Sequence, residues 1–127
     1  MKLSARGLAI AGATLMALGT VIGAFGAHAL KSRLAPDRYE VLLTAVHYQF
    51  INALGLLLIG VLAERVNTPA LRTAGALLLV GVILFSGSLY AILAGAPTLI
   101  GVVTPIGGAA LIAGWLLAAC ALYRAPR

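Results

Sequence analysis

Charge is what this sequence has least of. Asp, Glu, Lys and Arg make up 9% of its 127 residues, against about 25% in an ordinary soluble domain. So few charges cannot cover a soluble surface, which excludes a soluble globular fold. Acids are scarcest: Asp37, Glu40 and Glu64 are the only three. With them there is no paired set of catalytic carboxylates, no Ser-His-Asp arrangement and no phosphate-binding loop. The one cysteine, Cys120, allows no intrachain disulfide, redox pair or zinc cluster. His28 and His47 are the only imidazoles. Catalytic zinc normally takes three protein ligands, and a bis-histidine haem would need the two rings to face each other across a pocket. No metal, no cofactor and no enzymatic activity are therefore expected.

Apolar residues fill the space. They account for 62% of the chain, and the mean hydropathy is +1.09. Residues 7–30, 41–63 and 73–123 carry no charge at all, so 98 of 127 positions lie in uncharged runs. A helix of about 20 apolar residues crosses roughly 30 Å of hydrocarbon. The first two runs each suffice for one crossing, and the third for two. It divides at Gly95-Ala96-Pro97, a turn-forming cluster that ends a helix. The fold expected is all-α: a single four-transmembrane-helix bundle with short loops over residues 1–127. Its helices run over about 7–28, 36–63, 69–94 and 98–123. Pro36 with Asp37 and Glu40, and Thr68 before Pro69, mark the second and third starts.

The net charge of +6 does not point to nucleic acid, because the basic residues flank the apolar runs instead of forming a stripe. With both termini in the cytoplasm, Lys2, Arg6, Arg65, Arg72, Arg124 and Arg127 lie inside, and Lys31, Arg33 and Arg38 lie outside. That bias favours this orientation, with both termini inside. The start of the chain imitates a secretory signal, with a basic beginning and Ala27-His28-Ala29. Its uncharged stretch is longer than the 7–15 residues of a typical signal core, so retention as a first helix is expected.

Gly12, Gly19, Gly23 and Gly26 fall on one stripe of the first helix, and Ala110, Gly114 and Ala118 form a similar row on the fourth. Small rows in membrane helices let backbones approach closely. Pro105, with Gly107 and Gly108 beside it, is expected to kink the fourth helix. On the second helix, Ala45, Gln49, Asn52, Ala53 and Gly60 share one face and should turn toward the bundle. Glu40, Thr44 and His47 share another, nearer the headgroups. Polar groups in hydrocarbon need partners. At the depth of Gln49 and Asn52 the alternating chain direction also brings His28, Ser86, Ser88, Tyr90 and Thr104. These seven are the candidate polar network. Two uses of it are open, as bonding between helices or as a site for a ligand, ion or proton.

Several of these residues sit in a distinctive order. Gly23-Ala24-Phe25-Gly26-Ala27-His28, Tyr48-Gln49, Leu84-Phe85-Ser86-Gly87-Ser88-Leu89-Tyr90, Thr104-Pro105-Ile106-Gly107-Gly108 and Ala113-Gly114-Trp115 together resemble the bacterial YgdD/YwdK family. The resemblance implies a small inner-membrane protein with four helices and supplies no activity. At Asn52 this chain departs from the family pattern, where the resemblance implies a histidine, so no role for that imidazole carries over.

The function expected is that of a non-enzymatic accessory or structural bundle in the lipid bilayer, either a homo-oligomer or part of a larger membrane complex. The alternative is a small channel or transporter with its polar site in the outer half. The acid that small multidrug exporters carry in the first helix is missing from residues 7–30. The Gly-Thr-Leu and Asn pattern of fluoride channels is missing from the second helix.

Overall fold

The computed structural model describes residues 3–126; Met1, Lys2 and Arg127, including two of the basic residues used for the orientation, lie outside the described residues. Four long helices follow one another: α1, Ala5–Phe25; α2, Pro36–Arg65; α3, Pro69–Leu93; and α4, Val103–Arg124. Each, with the short turn attached to it in α1 and α4, is long and apolar enough to cross a membrane.

The ends follow local chemistry. Ser4 caps α1, its hydroxyl accepting from the Gly7 N–H at 3.0 Å. Thr68 caps α3 in the same way on Leu71. Pro36 and Pro69 open α2 and α3, where a missing N–H costs nothing. The α3 terminus is a Schellman turn. Ala96 donates back to the Ala91 carbonyl and Gly95 to that of Ile92, with Gly95 at φ 104°, a region that disfavours any side chain.

Two helix ends differ from expectation. The first helix does not stop as an α-helix near residue 28; it widens into a π turn over Gly26–Leu30, closed by the Lys31 N–H on the Gly26 carbonyl at 2.9 Å. The fourth helix starts as a 3-10 turn over Thr98–Val102. Pro105 therefore falls in the first turn of α4, where the first four N–H groups have no α-helical partner in any case. The expected kink has no hydrogen bond to break.

The helices pack in chain order, α1 on α2, α2 on α3 and α3 on α4, with a smaller contact between α1 and α3. Both hairpins close through glycine. A Cβ on Gly12 would lie 2.5 Å from the Leu57 backbone nitrogen, and one on Gly60 as close to that of Ala9. In the second hairpin Gly107 meets the backbone nitrogen of Phe85, and Gly81 faces Leu111. Gly114 fits against Leu78 and the Ala74 carbonyl. The rest of the α1 row behaves differently. Gly19 touches the side chains of Gln49 and Phe50, Gly26 abuts Leu42, and Gly23 is only in ordinary contact with Val46. The expectation of backbone approach along that stripe thus holds at Gly12 and not at Gly19, Gly23 or Gly26, where α2 presents side chains in place of its backbone.

The interior is divided by depth. Leu8, Leu56, Leu71, Leu78 and Val82 are the largest wholly buried side chains and fill the half nearer the termini. The buried polar side chains, Gln49, Asn52, Ser86 and Ser88, lie from mid-bundle toward the other end. Outside, Ile10, Leu18, Val21, Leu54, Leu58, Val80, Ile83 and Leu116 form an exposed aliphatic belt. Water would oppose that exposure; lipid does not.

Candidate functional site

α2 carries the polar face, and the structure turns it inward: Gln49 and Asn52 are each only 3% exposed, and Ala45 and Ala53 are wholly buried beside them. Gln49 donates its amide to the Leu15 carbonyl of α1 at 2.8 Å and accepts the Tyr90 hydroxyl of α3 at 2.6 Å. One side chain thereby ties three helices. One turn earlier, Ser86 of α3 donates to the Ala45 carbonyl at 2.7 Å.

Asn52 works on the opposite pair of helices. Its amide donates to the Tyr48 carbonyl within α2, and its oxygen accepts the Trp115 indole N–H of α4 at 2.9 Å. Ser88 and Thr104 bond at 2.6 Å between α3 and α4. Ser88 has a single hydroxyl proton, and its oxygen lies 2.9 Å from the Phe85 carbonyl. With that proton on the carbonyl, Thr104 is the donor to Ser88.

The seven candidate residues do not form one network. Gln49 and Tyr90 are joined, Ser88 and Thr104 are joined, and Ser86 and Asn52 bond elsewhere. His28 belongs to none of these groups; it is exposed in the π turn that follows α1. The physical reason is that main-chain carbonyls were available. Leu15, Ala45 and Tyr48 each offer a second lone pair within reach, so a buried donor need not find another side chain. Among the described residues no buried side-chain nitrogen or oxygen lacks a partner. Nor does any group of three His, Cys, Asp or Glu among them come together to hold a metal ion. Glu40, Thr44 and His47 are exposed on their separate face.

Trp115 is the partner that sequence reasoning missed. An indole N–H in hydrocarbon needs an acceptor, and Trp115 is the only tryptophan in the chain, so the signal was present. Its ring also packs against Gly55, where a Cβ would lie 2.5 Å from the indole Cη2 and Cζ2. This pair is directly observable. Asn52→Leu should remove the hydrogen bond to the sole indole and shift its fluorescence to shorter wavelength, at a cost of about 1 kcal/mol in bundle stability. An unchanged emission spectrum would contradict the contact.

A family model described as "Protein of unknown function (DUF423)" matches residues 22–108. The chain belongs to the DUF423 family. That stretch runs from the last turn of α1 into α4 and contains every polar bond between helices described above except the Leu15 and Trp115 ends. Relatives of this DUF423 chain are named as membrane proteins. The UPF0382 membrane protein SH2409 of Staphylococcus haemolyticus is 44% identical over 104 residues, covering 82% of this chain and 83% of its own length. The UPF0382 membrane protein YwdK of Bacillus subtilis is 40% identical over 110 residues, 85% of this chain and 89% of that one. A UPF0382 membrane protein of Haemophilus influenzae is 36% identical over 107 residues, with 81% and 86% covered. No solved structure matches. This DUF423 chain is accordingly an integral membrane protein with four transmembrane helices, as the YgdD/YwdK resemblance implied, and its family carries no assigned activity.

Proposed function

We propose that this DUF423 protein is a non-enzymatic structural or accessory bundle of the bacterial inner membrane, acting through copies of itself or within a larger complex. The observation that supports this reading is the complete internal use of the buried polar side chains among the described residues. Each buried amide and hydroxyl among the described residues bonds within the bundle, and these five bonds join four different helix pairs. A transport site would instead keep polar groups turned toward its cargo. The clefts between helices are lined mainly by apolar side chains, and the polar residues among their walls, Asn52, Gln49, Ser86 and Tyr90, already bond within the bundle.

Both ends face the cytoplasm in this proposal. Arg6, Arg65, Arg72 and Arg124 then lie inside, against Lys31, Arg33 and Arg38 outside. A phosphatase fusion after Arg124 should be inactive and a fluorescent-protein fusion there bright. The reverse pattern would invert the topology. Proteoliposomes carrying the protein should show ion and small-solute fluxes equal to those of empty liposomes. A flux abolished by Gln49→Leu would replace the structural reading with the transport one.

A further inference from the structure

The limited contact between α1 and α3 leaves a furrow between them at the end of the bundle that carries the 31–35 loop. It consists of two adjoining cavities, of about 290 and 230 Å³, which share Ile22 and Tyr90 as walls. The upper one is bounded by Leu30, Leu34 and Leu93 at the surface; the lower ends at Leu15 and Val82. Along α3 the distance from Val82 to Leu93 is about 16 Å at 1.5 Å per residue. Half of a hydrocarbon core is about 15 Å. The furrow therefore spans one leaflet, from headgroup level to midplane.

Its chemistry changes along its length. In the deep part Ser86, Gln49 and Tyr90 already bond to each other or to helix carbonyls, so the wall offers an occupant chiefly apolar contact. At the mouth Arg38 places one guanidinium nitrogen 3.2 Å from the Leu93 carbonyl. The rest of that fork remains available beside the opening. Lys31 and Arg33 add positive charge on the adjoining loop, against Asp37 and Glu40 in the first turns of α2.

Gly87 supplies a separate observation. It lines the furrow within α3, and an added Cβ there would meet no atom within 4 Å. The only other such glycine, Gly95, has its positive φ as a reason. Glycine weakens a helix interior relative to alanine, and the bundle's own packing does not need one at position 87. What its small size does is keep the furrow open midway down.

We propose that this furrow binds one acyl chain of an anionic phospholipid, with the lipid phosphate on the Arg38 guanidinium. An arginine fork matches phosphate oxygens in pairs, and the apolar channel below it is the length of a single leaflet. The proposal is independent of which leaflet the loop faces.

The test is native mass spectrometry of the delipidated, detergent-solubilised full chain, with dioleoyl phosphatidylglycerol or dioleoyl phosphatidylcholine added. The wild type should retain one phosphatidylglycerol per chain in preference to phosphatidylcholine. Arg38→Gln should lower that preference about fivefold, the factor one basic side chain contributes at a lipid surface. Gly87→Leu should lose both lipids while keeping its melting temperature. Should Gly87→Leu melt early, Leu18→Trp, which fills the furrow from the exposed α1 wall, takes its place. Equal retention of the two lipids by the wild type overturns the proposal, as does an Arg38→Gln variant with unchanged preference. So does lipid retention by the filled variants. A wild-type dimer that Gly87→Leu turns into monomer would overturn it too, by assigning the furrow to a second copy.

Discussion

Replacing Gly12 with leucine should separate α1 from α2 and lower bundle stability by at least about 3 kcal/mol, the scale of overpacking where nothing can yield. The neighbours of a new Cβ would be the Leu57 nitrogen at 2.5 Å and the Ala53 carbonyl oxygen at 2.6 Å. Both are main-chain atoms of an intact helix, so relief requires moving the helix and not a rotamer. Moving it would also pull Leu15 away from Gln49 and open the core around Leu8, which is wholly buried. Gly23→Ala provides the contrast. Its nearest neighbour is the Val46 Cγ1 at 3.4 Å, ordinary van der Waals contact, and the substitution should be neutral within about 0.5 kcal/mol. Thermal unfolding in one detergent checks both. Equal melting temperatures for Gly12→Leu and Gly23→Ala would show that the hairpin does not close as described.

Gln49→Leu should have the second largest effect, about 2 kcal/mol, because it leaves the half-buried Tyr90 hydroxyl without its acceptor and frees α1 from its polar tie. Deleting both ends of the bond should be milder than deleting one. The pair Gln49→Leu with Tyr90→Phe removes the acceptor and the orphaned hydroxyl together, so the double variant should lie closer to the wild type than the sum of the single ones. A double-mutant cycle read by unfolding in mixed micelles measures that coupling. Additive effects would mean that the 2.6 Å contact contributes nothing to stability. Ser86 provides an internal comparison. Its acceptor, the Ala45 carbonyl, is also part of the α2 helix, so Ser86→Ala leaves no acceptor stranded and should cost less than Gln49→Leu.

The polar face of α2 is legible in the sequence. Ala45, Gln49, Asn52, Ala53 and Gly60 share a helical phase, and all five are buried. The seven-residue network was not legible, and the reason is specific. Residue types advertise side-chain donors and acceptors, whereas four of the bonds end on the main chain of Leu15, Ala45, Tyr48 and Phe85. A carbonyl belongs to every residue and therefore leaves no mark in a sequence. Depth alone also could not separate Gln49, which faces α1 and α3, from Asn52, which reaches α4.

What the chain determined by itself is its solvent and its number of crossings. Uncharged runs of these lengths have no stable alternative to spanning as helices, since every backbone group in hydrocarbon must be bonded within its own segment. Thr68-Pro69 and Gly95-Ala96-Pro97 set two of the breaks by local backbone sterics, which act without reference to the rest of the molecule. Tertiary structure alone decided which glycine of the α1 row touches a backbone, which partner each amide takes, and where α1 and α3 leave a furrow. Those outcomes depend on the angles at which helices cross. Crossing angles arise from the fit of many side chains at once, and in lipid no hydrophobic drive selects a face in advance.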